Sequence, residues 1–366
     1  MDHDCANGAA ESTGDRAMLI HDVMDLAIER GASDIHLTVG TPPVLRIDGD
    51  LRAVEMEPLE AEDTRELIKT ITPDSHLQRL EERGGSDFGY DYREGYRFRV
   101  AIFRQEQQSG MVLRLVPDDM YSFEDLGLPH QMKDLCENPK GLMLVTGPTG
   151  SGKSTTLSTF MNYINTNFRY HIVTIEDPIE FKYDHKQSII NQRELGVDVL
   201  SFADGLRSGL RMDPDVILVG EMRDKETIRA TITAAETGHL VFSTLHTNSA
   251  AQTINRIIDT FPKEEQNQVR AQLSMTLSAV ISQSLLQKQN EEGRVAAFEI
   301  MINTPGIQNM IREQKEQNIP SAIQTGGKKG MQTMDDHLLE LYKKGVISRE
   351  SAMARAQDPD TLRKKI

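Results

Sequence analysis

The chain has 366 residues, 38% of them hydrophobic and 27% charged, with a formal net charge of −15 at pH 7. That length exceeds one typical domain and points to two. The acidic balance repels phosphate backbones and counts against a nucleic-acid motor, and no apolar run reaches the ~18 residues that span a bilayer. The start, Met1-Asp-His-Asp-Cys-Ala-Asn-Gly, has neither a basic segment nor an apolar one, so no secretory signal is expected. Residues 1–16 read as a disordered acidic leader. The only cysteines, Cys5 and Cys136, are too far apart to suggest a disulfide framework or a CxxC metal site. A reducing cytoplasm is the natural setting.

Leu19, Val23, Leu26 and Ala27 fall at helical spacing, and Gly31 supplies a stop. Ile35, Leu37 and Val39 alternate as in a strand. A hairpin follows, Val44–Ile47 and Asp50–Val54 around Asp48-Gly49, a dipeptide suited to primed turns. Short helices are expected near Ala61–Ile71 and Ser75–Glu82. After Gly84-Gly85 the period returns to two, through Phe88, Tyr90 and Tyr92, then Tyr96, Phe98, Val100 and Ile102, with Val112–Val116 closing the region. Residues 17–116 therefore read as an α+β domain and 117–122 as a linker.

From Gly141 the pattern becomes strand–helix alternation, the mark of a parallel sheet covered by helices, so 123–366 reads as an α/β domain. Strands are expected at Leu142–Thr146, Ile172–Glu176, Val216–Gly220, Leu240–Thr244 and Arg294–Ile302. The clearest helix starts at Lys153, with Leu157, Phe160, Met161 and Ile164 on one face. A helical region runs from about 305 to 366, where Met334, Leu338, Leu341 and Tyr342 form a packing stripe.

Gly147-Pro148-Thr149-Gly150-Ser151-Gly152-Lys153-Ser154 is a complete phosphate-binding loop between an apolar strand and an amphipathic helix. Its glycines let backbone N–H groups turn inward around phosphate oxygens, and the helix start adds its positive end. Lys153 is expected to reach the β- and γ-phosphates, and Ser154 to ligate Mg²⁺. By itself such a loop says that phosphate is bound, and ATP and Mg²⁺ are the expected ligands.

Three further segments supply candidate chemistry. In Asp213-Pro-Asp-Val-Ile-Leu-Val-Gly-Glu221, Glu221 lies at the C-terminal end of a strand, where an acid faces the metal and the attacking water. Asp215 lies about 20 Å away at ~3.3 Å per residue, so it and Asp213 read as turn and cap residues. Glu221 is the expected base or water-orienting group, and a metal contact directly or through water. Ile175-Glu176-Asp177-Pro178-Ile179-Glu180 places Glu176 at a second strand end; for Asp177 and Glu180 a solvated turn is an equal alternative. Crowded carboxylates beside phosphate require a cation. In Gly238-His239-Leu-Val-Phe-Ser-Thr-Leu-His246, only His246 emerges at the C-terminal edge, within reach of a γ-phosphate.

In this order the segments resemble the secretion ATPase superfamily, and specifically the type IV pilus retraction (PilT-like) ATPases. The resemblance covers nearly the whole chain after the leader and includes Gly31-Ala-Ser-Asp-Ile-His36, Gly147–Thr155, Asn191-Gln-Arg-Glu194, Asp213–Asp224, Gly238–His246 and Ser321-Ala-Ile-Gln-Thr-Gly-Gly. It implies a RecA-like P-loop ATPase domain preceded by a smaller PAS-like domain, in a homo-hexameric ring. It also implies that Glu176, Glu221 and the pair His239 and His246 are the acidic, catalytic and histidine boxes. Arginines of the N-terminal domain that close on ATP match Arg99 and Arg114, with Arg97 a third candidate; surface strand arginines are the plainer alternative. Guanidinium groups suit this role because they stabilise charge on a transferring phosphoryl group.

The family's retraction motif resembles Gly306-Ile307-Gln308-Asn309-Met310-Ile311-Arg312-Glu313, with Gln308 where the family carries a positive charge. Ile307, Met310, Ile311, Arg312 and Glu313 are the candidate motif residues, and disruption of Ile307 or Ile311 is expected to stop retraction in an otherwise folded ring. The implied partners are an inner-membrane pilus platform protein and an accessory retraction ATPase, with no nucleic acid. The implied location is the cytoplasm, peripheral to the inner face of the cytoplasmic membrane. The alternatives are an accessory retraction ATPase, a pilus-extension or type II secretion ATPase, a nucleic-acid motor and a nucleotide-dependent scaffold.

Overall fold

The computed structural model describes residues 12–47, 49–93, 95–117, 120–289 and 293–366, without the side chains of residues 12–19 and 117. Cys5, Asp48, residues 118–119 of the linker and most of the expected leader lie outside them. Two compact units emerge, one from the described residues through 117 plus Pro178–Phe181, the other from residues 120–177 and Lys182–Ile366.

The first unit begins with α1 (Ser12–Glu29), which starts inside the span expected as leader. Then come β1 (Asp34–Leu37), β2 (Val44–Ile47), β3 (Asp50–Ala53), α2 (Ala61–Ile71), α3 (Asp74–Arg83), β4 (Gly85–Arg93), β5 (Tyr96–Gln105) and β6 (Gln108–Pro117). The strands form one sheet in the order β3-β2-β1-β6-β5-β4, every pairing antiparallel. Alternation sends Phe98, Val100 and Ile102 of β5 into a core shared with Leu67, Ile68 and Ile71 of α2. Ile20, Val23, Met24 and Ala27 form the buried stripe of α1, whereas Leu26 is only partly buried. β1 ends at Leu37, short of the expected Val39.

The second unit holds α4 (Gln131–Asp134), β7 (Gly141–Thr146), α5 (Lys153–Asn167), β8 (His171–Glu176), β9 (Ile189–Glu194), α6 (Phe202–Gly209) and β10 (Val216–Val219). It continues through α7 (Lys225–Glu236), β11 (Leu240–Leu245), α8 (Ala250–Asp259), α9 (Lys263–Thr276), β12 (Leu277–Gln287) and β13 (Arg294–Ile302). The chain closes with α10 (Pro305–Arg312), α11 (Ile319–Thr325), α12 (Met334–Lys343), α13 (Arg349–Arg355) and α14 (Pro359–Arg363).

Its sheet runs β13-β12-β7-β11-β10-β8-β9 and is parallel except for the β12–β13 pair. Both faces are covered. Leu142 and Leu144 of β7 pack toward the cluster containing Ile228, Ile254 and Leu273, while Met143 and Val145 pack toward Phe160, Met161 and Ile164 of α5. Two strands, β9 and β12, were not expected from sequence. In β12 the polar Ser282, Gln283 and Ser284 interrupt the apolar run, yet all three are buried. Among the described residues no helix is long and apolar enough to cross a membrane.

Candidate active site

Parallel strands in register bring their C-terminal ends to one edge, and the second unit gathers its chemistry there. Leu245 of β11 pairs with Thr146 of β7, so His246 leaves the sheet beside the first residue of the phosphate loop. Val219 of β10 pairs with Ile175 of β8, which puts Glu176 and the segment Gly220-Glu221 on adjacent chains. Gly220 N donates to Ile175 O at 2.8 Å. A Cβ at Gly220 would press on Ile175 O at 3.2 Å, so glycine permits this close approach.

The phosphate loop is held in its turn by β12. Gln283 Nε2 donates to Ser151 O at 2.6 Å, and Thr156 Oγ1 donates to Gln283 Oε1 at 2.8 Å. A Cβ on Gly147, whose φ is 147°, would run into Gln283 O and Ser151 Oγ. Thr146 Oγ1 donates to Ser282 Oγ at 2.8 Å. Gln283 is thus a site residue that sequence reading missed, because nothing local marks a buried glutamine as the partner of a loop 132 residues earlier.

The loop suits a polyphosphate. Helix α5 starts at Lys153 with no side chain capping its first N–H groups, which leaves its positive end for an anion. Ser151 Oγ is buried without a hydrogen-bond partner among the described residues. Lys153 Nζ folds over the loop, donating to Gly147 O at 2.9 Å and to Pro148 O at 3.0 Å. Thr149, Gly150 and Ser154 are exposed, while Gly152 and Thr155 are half-buried. Among the described residues no group of three or more His, Cys, Asp or Glu is placed to hold a metal ion.

Glu221, 14% exposed, has two cationic or imidazole neighbours. Arg223 Nε lies 2.5 Å from its Oε1 and His246 Nε2 lies 3.5 Å from its Oε2. Arg223 was not singled out from sequence; a charged residue two positions after an acid carries no local signal. Ser243 Oγ and Thr244 Oγ1 donate to Val219 O and Gly220 O, both at 2.7 Å, and fix the strand ends beneath Glu221. Glu176 Oε1 accepts from Thr174 Oγ1 at 2.6 Å and from Gln192 Nε2 at 3.1 Å. His239 sits at the opposite end of β11, its Nδ1 donating to Ala234 O at 3.0 Å, and takes no part in this edge. Asp213 has φ 57° in the turn before β10, and Asp215 Oδ2 accepts from His171 N at 2.8 Å.

In the first unit Arg99 of β5 and Arg114 of β6 are direct cross-strand neighbours. Arg99 Nη1 lies 3.3 Å from Glu180 Oε1, and Arg114 Nε donates to Asp34 Oδ1 at 2.8 Å. Arg97 donates to Ile179 O at 3.1 Å and pairs with Asp91. Burial works to raise the Asp34 carboxyl, but hydrogen bonds from Arg114 and Ser33, with the charge of Arg114, outweigh it and hold the group below the ordinary aspartate value.

The expected retraction motif divides by burial. Ile307 and Ile311 are fully buried in the core of the second unit, where they share a cluster with Val269 and Leu273 of α9. Met310 packs against the same cluster. The exposed residues of the segment are Gly306, Asn309, Arg312 and Glu313, the last 2.7 Å from Lys315 Nζ. Disruption of Ile307 or Ile311 would therefore also open the core, a stability cost that the sequence expectation of an otherwise folded ring did not include.

The sequence pattern of the type II/IV secretion system proteins matches residues 9–359. The type IV pilus retractation ATPase PilT of Pseudomonas aeruginosa is 51% identical over 345 residues, 94% of this chain and 100% of that one. A twitching motility protein of Neisseria gonorrhoeae is 48% identical over 320 residues, 87% of this chain and 86% of that one. The crystal structure of the pilus retraction motor PilT with bound ADP superposes with a TM-score of 0.87 at 49% identity, covering 94% of this chain and 99% of that one. Its fold is the one seen here, a smaller N-terminal α+β unit before a RecA-like ATPase unit, and the chain belongs to the type II/IV secretion system protein family.

Proposed function

We infer that this protein is a motor ATPase that converts ATP hydrolysis into retraction of a type IV pilus. The observation that carries the ATPase reading is the sheet edge where the phosphate loop, Glu176, Glu221 and His246 converge. End-to-end identity with a pilus retractation ATPase and with a twitching motility protein carries the retraction reading.

In this reading residues 147–155 hold the phosphates through backbone N–H groups and Lys153. Ser154 and, directly or through water, Glu221 hold Mg²⁺, which when bound neutralises charge on the phosphate oxygens. Glu221 orients the attacking water and accepts its proton, while His246 holds the Glu221 carboxylate in place. Glu176 directs the same water or the metal shell from the neighbouring strand. Arg99 and Arg114 stabilise the charge of the transferring phosphoryl group and report its loss. Six copies form a ring whose successive closures act on a platform protein at the inner face of the cytoplasmic membrane, alone or alongside an accessory retraction ATPase. Ring, platform and location rest on family likeness.

Deletion of the gene, scored for surface pili and twitching, tests the reading. Excess pili without movement supports retraction, whereas loss of pili overturns it in favour of extension. Steady-state phosphate release tests the ATPase reading separately.

A further inference from the structure

His246 rides on a short connection, residues 246–249, between the end of β11 and the start of α8. The sheet fixes the first end of that connection. The second end is held locally by the Ser249 cap and by Thr253, which bonds Ser249 O and Thr247, and also by groups far away in sequence. Ala250 N, the first helical amide of α8, donates to Glu299 Oε1 on β13 at 2.7 Å. Gln357, just past α13, donates from Nε2 to Asn248 O at 3.2 Å. Asp335 in the first turn of α12 then accepts from Gln357 N at 2.7 Å and from Asp358 N at 2.8 Å.

We propose that Glu299, Gln357 and Asp335 form a positioning strap by which the C-terminal segment sets the place of His246 beside Glu221. Glu299 holds the start of α8, and Gln357, itself held by Asp335, holds Asn248 in the middle of the connection. Packing holds α8 itself, with Ala250 and Ile254 fully buried in the core, while His246 and Asn248 are exposed. On the side facing the phosphate loop a cavity of about 380 Å³ adjoins the connection, lined by Pro148, Asn248, Ser249, Gln283 and Arg355. With open space there, hydrogen bonds decide where residues 247–249 sit. Glu299 itself is 2% exposed. Burial pushes its carboxyl above the ordinary glutamate range, Asp335 adds to that push, and the amide groups of Ala250 and Gln357 work against it. Loss of the Ala250 contact leaves a buried carboxyl short of a donor.

The strap rests on the reading of Glu221 and His246 as a working pair, and its test separates the two ideas. Full-length protein carrying Gln357→Ala or Asp335→Ala is assayed for kcat and KM of ATP hydrolysis, thermal midpoint and hydrogen exchange of peptides covering residues 246–252. Both positions are at the surface side of the network, so folding is monitored by the midpoint and by exchange elsewhere. The expected result is a fall in kcat of about tenfold, the scale on which a displaced catalytic group costs rate. KM stays within about twofold and exchange accelerates only around Ala250. A kcat within twofold of the unsubstituted protein, or faster exchange spread over the whole second unit, overturns the strap. Should the unsubstituted protein hydrolyse no ATP, the ATPase reading falls, and local exchange still decides whether Gln357 and Asp335 hold the connection.

Discussion

The two sheets handle charge in opposite ways. In the second unit every residue of β7, β10 and β11 is buried, and the polar side chains of these three strands, Thr146, Ser243 and Thr244, fall in their C-terminal halves. In the first unit Arg46, Asp34, Arg114 and Arg99 stand in register on four neighbouring strands, Arg114 exposed, Arg46 and Arg99 half-buried and Asp34 buried. A sheet covered on both faces concentrates chemistry at its edge, held by a rigid interior. A partly exposed face spreads charge along the strands, where solvent screens it. Substitutions at the covered sheet's edge should therefore change activity and not stability, while those within its walls should do the reverse.

The largest effect is expected from Lys153→Ala, which removes the one side-chain cation of the phosphate loop. ATPase turnover should drop to background with the thermal midpoint nearly unchanged, and measurable turnover would break the assignment. Glu221→Gln should keep nucleotide binding and lose turnover by about 100-fold or more. A rate near that of the unsubstituted protein would move the base elsewhere.

Within the walls, Ile311→Ala should cost about 2–5 kcal/mol in denaturant unfolding, as other large-to-small core changes do. On the same helix Arg312→Ala, exposed, should stay within about 0.5 kcal/mol. If the two cost the same, the division of that helix into core and surface is wrong. The smallest effect belongs to the partly exposed face. Arg114 is 67% exposed, so Arg114→Ala should cost about 1 kcal/mol or less near neutral pH. Asp34 has a lowered folded value, so its contribution is present above the ordinary aspartate value near 3.9 and is lost as pH falls through the lower folded value. Unfolding midpoints measured from pH 6 downward should show a shallower acid decline for Arg114→Ala than for the unsubstituted protein. Equal slopes would sink this account of Asp34.

Much of the site was legible because its parts are contiguous. The phosphate loop announces itself by eight positions between a strand and a helix, and Glu221 by its place at a strand's end. The helix Ala61–Ile71 was readable because it has one wet face and one dry face, whereas the helix from Lys153 is buried at every position from Thr156 to Met161, so its apolar stripe marked the helix but not a wet side. β12 was not, because a strand covered on both faces has no alternation to read, and its serines and glutamine looked like loop residues. Ile307 and Ile311 were readable as one helical face, but a face by itself does not say what covers it.

The sequence by itself thus determined which phosphate-binding machinery is present, which acid stands after which strand, and the two-unit division of labour, because local backbone geometry encodes all three. Only the tertiary structure decided that Gln283 locks the phosphate loop, that Arg223 and His246 both address Glu221, and that Glu299, Gln357 and Asp335 reach the connection bearing His246. Those contacts join strand ends and helix starts from distant parts of the chain. Their partners are chosen by sheet order and register, which no single segment contains.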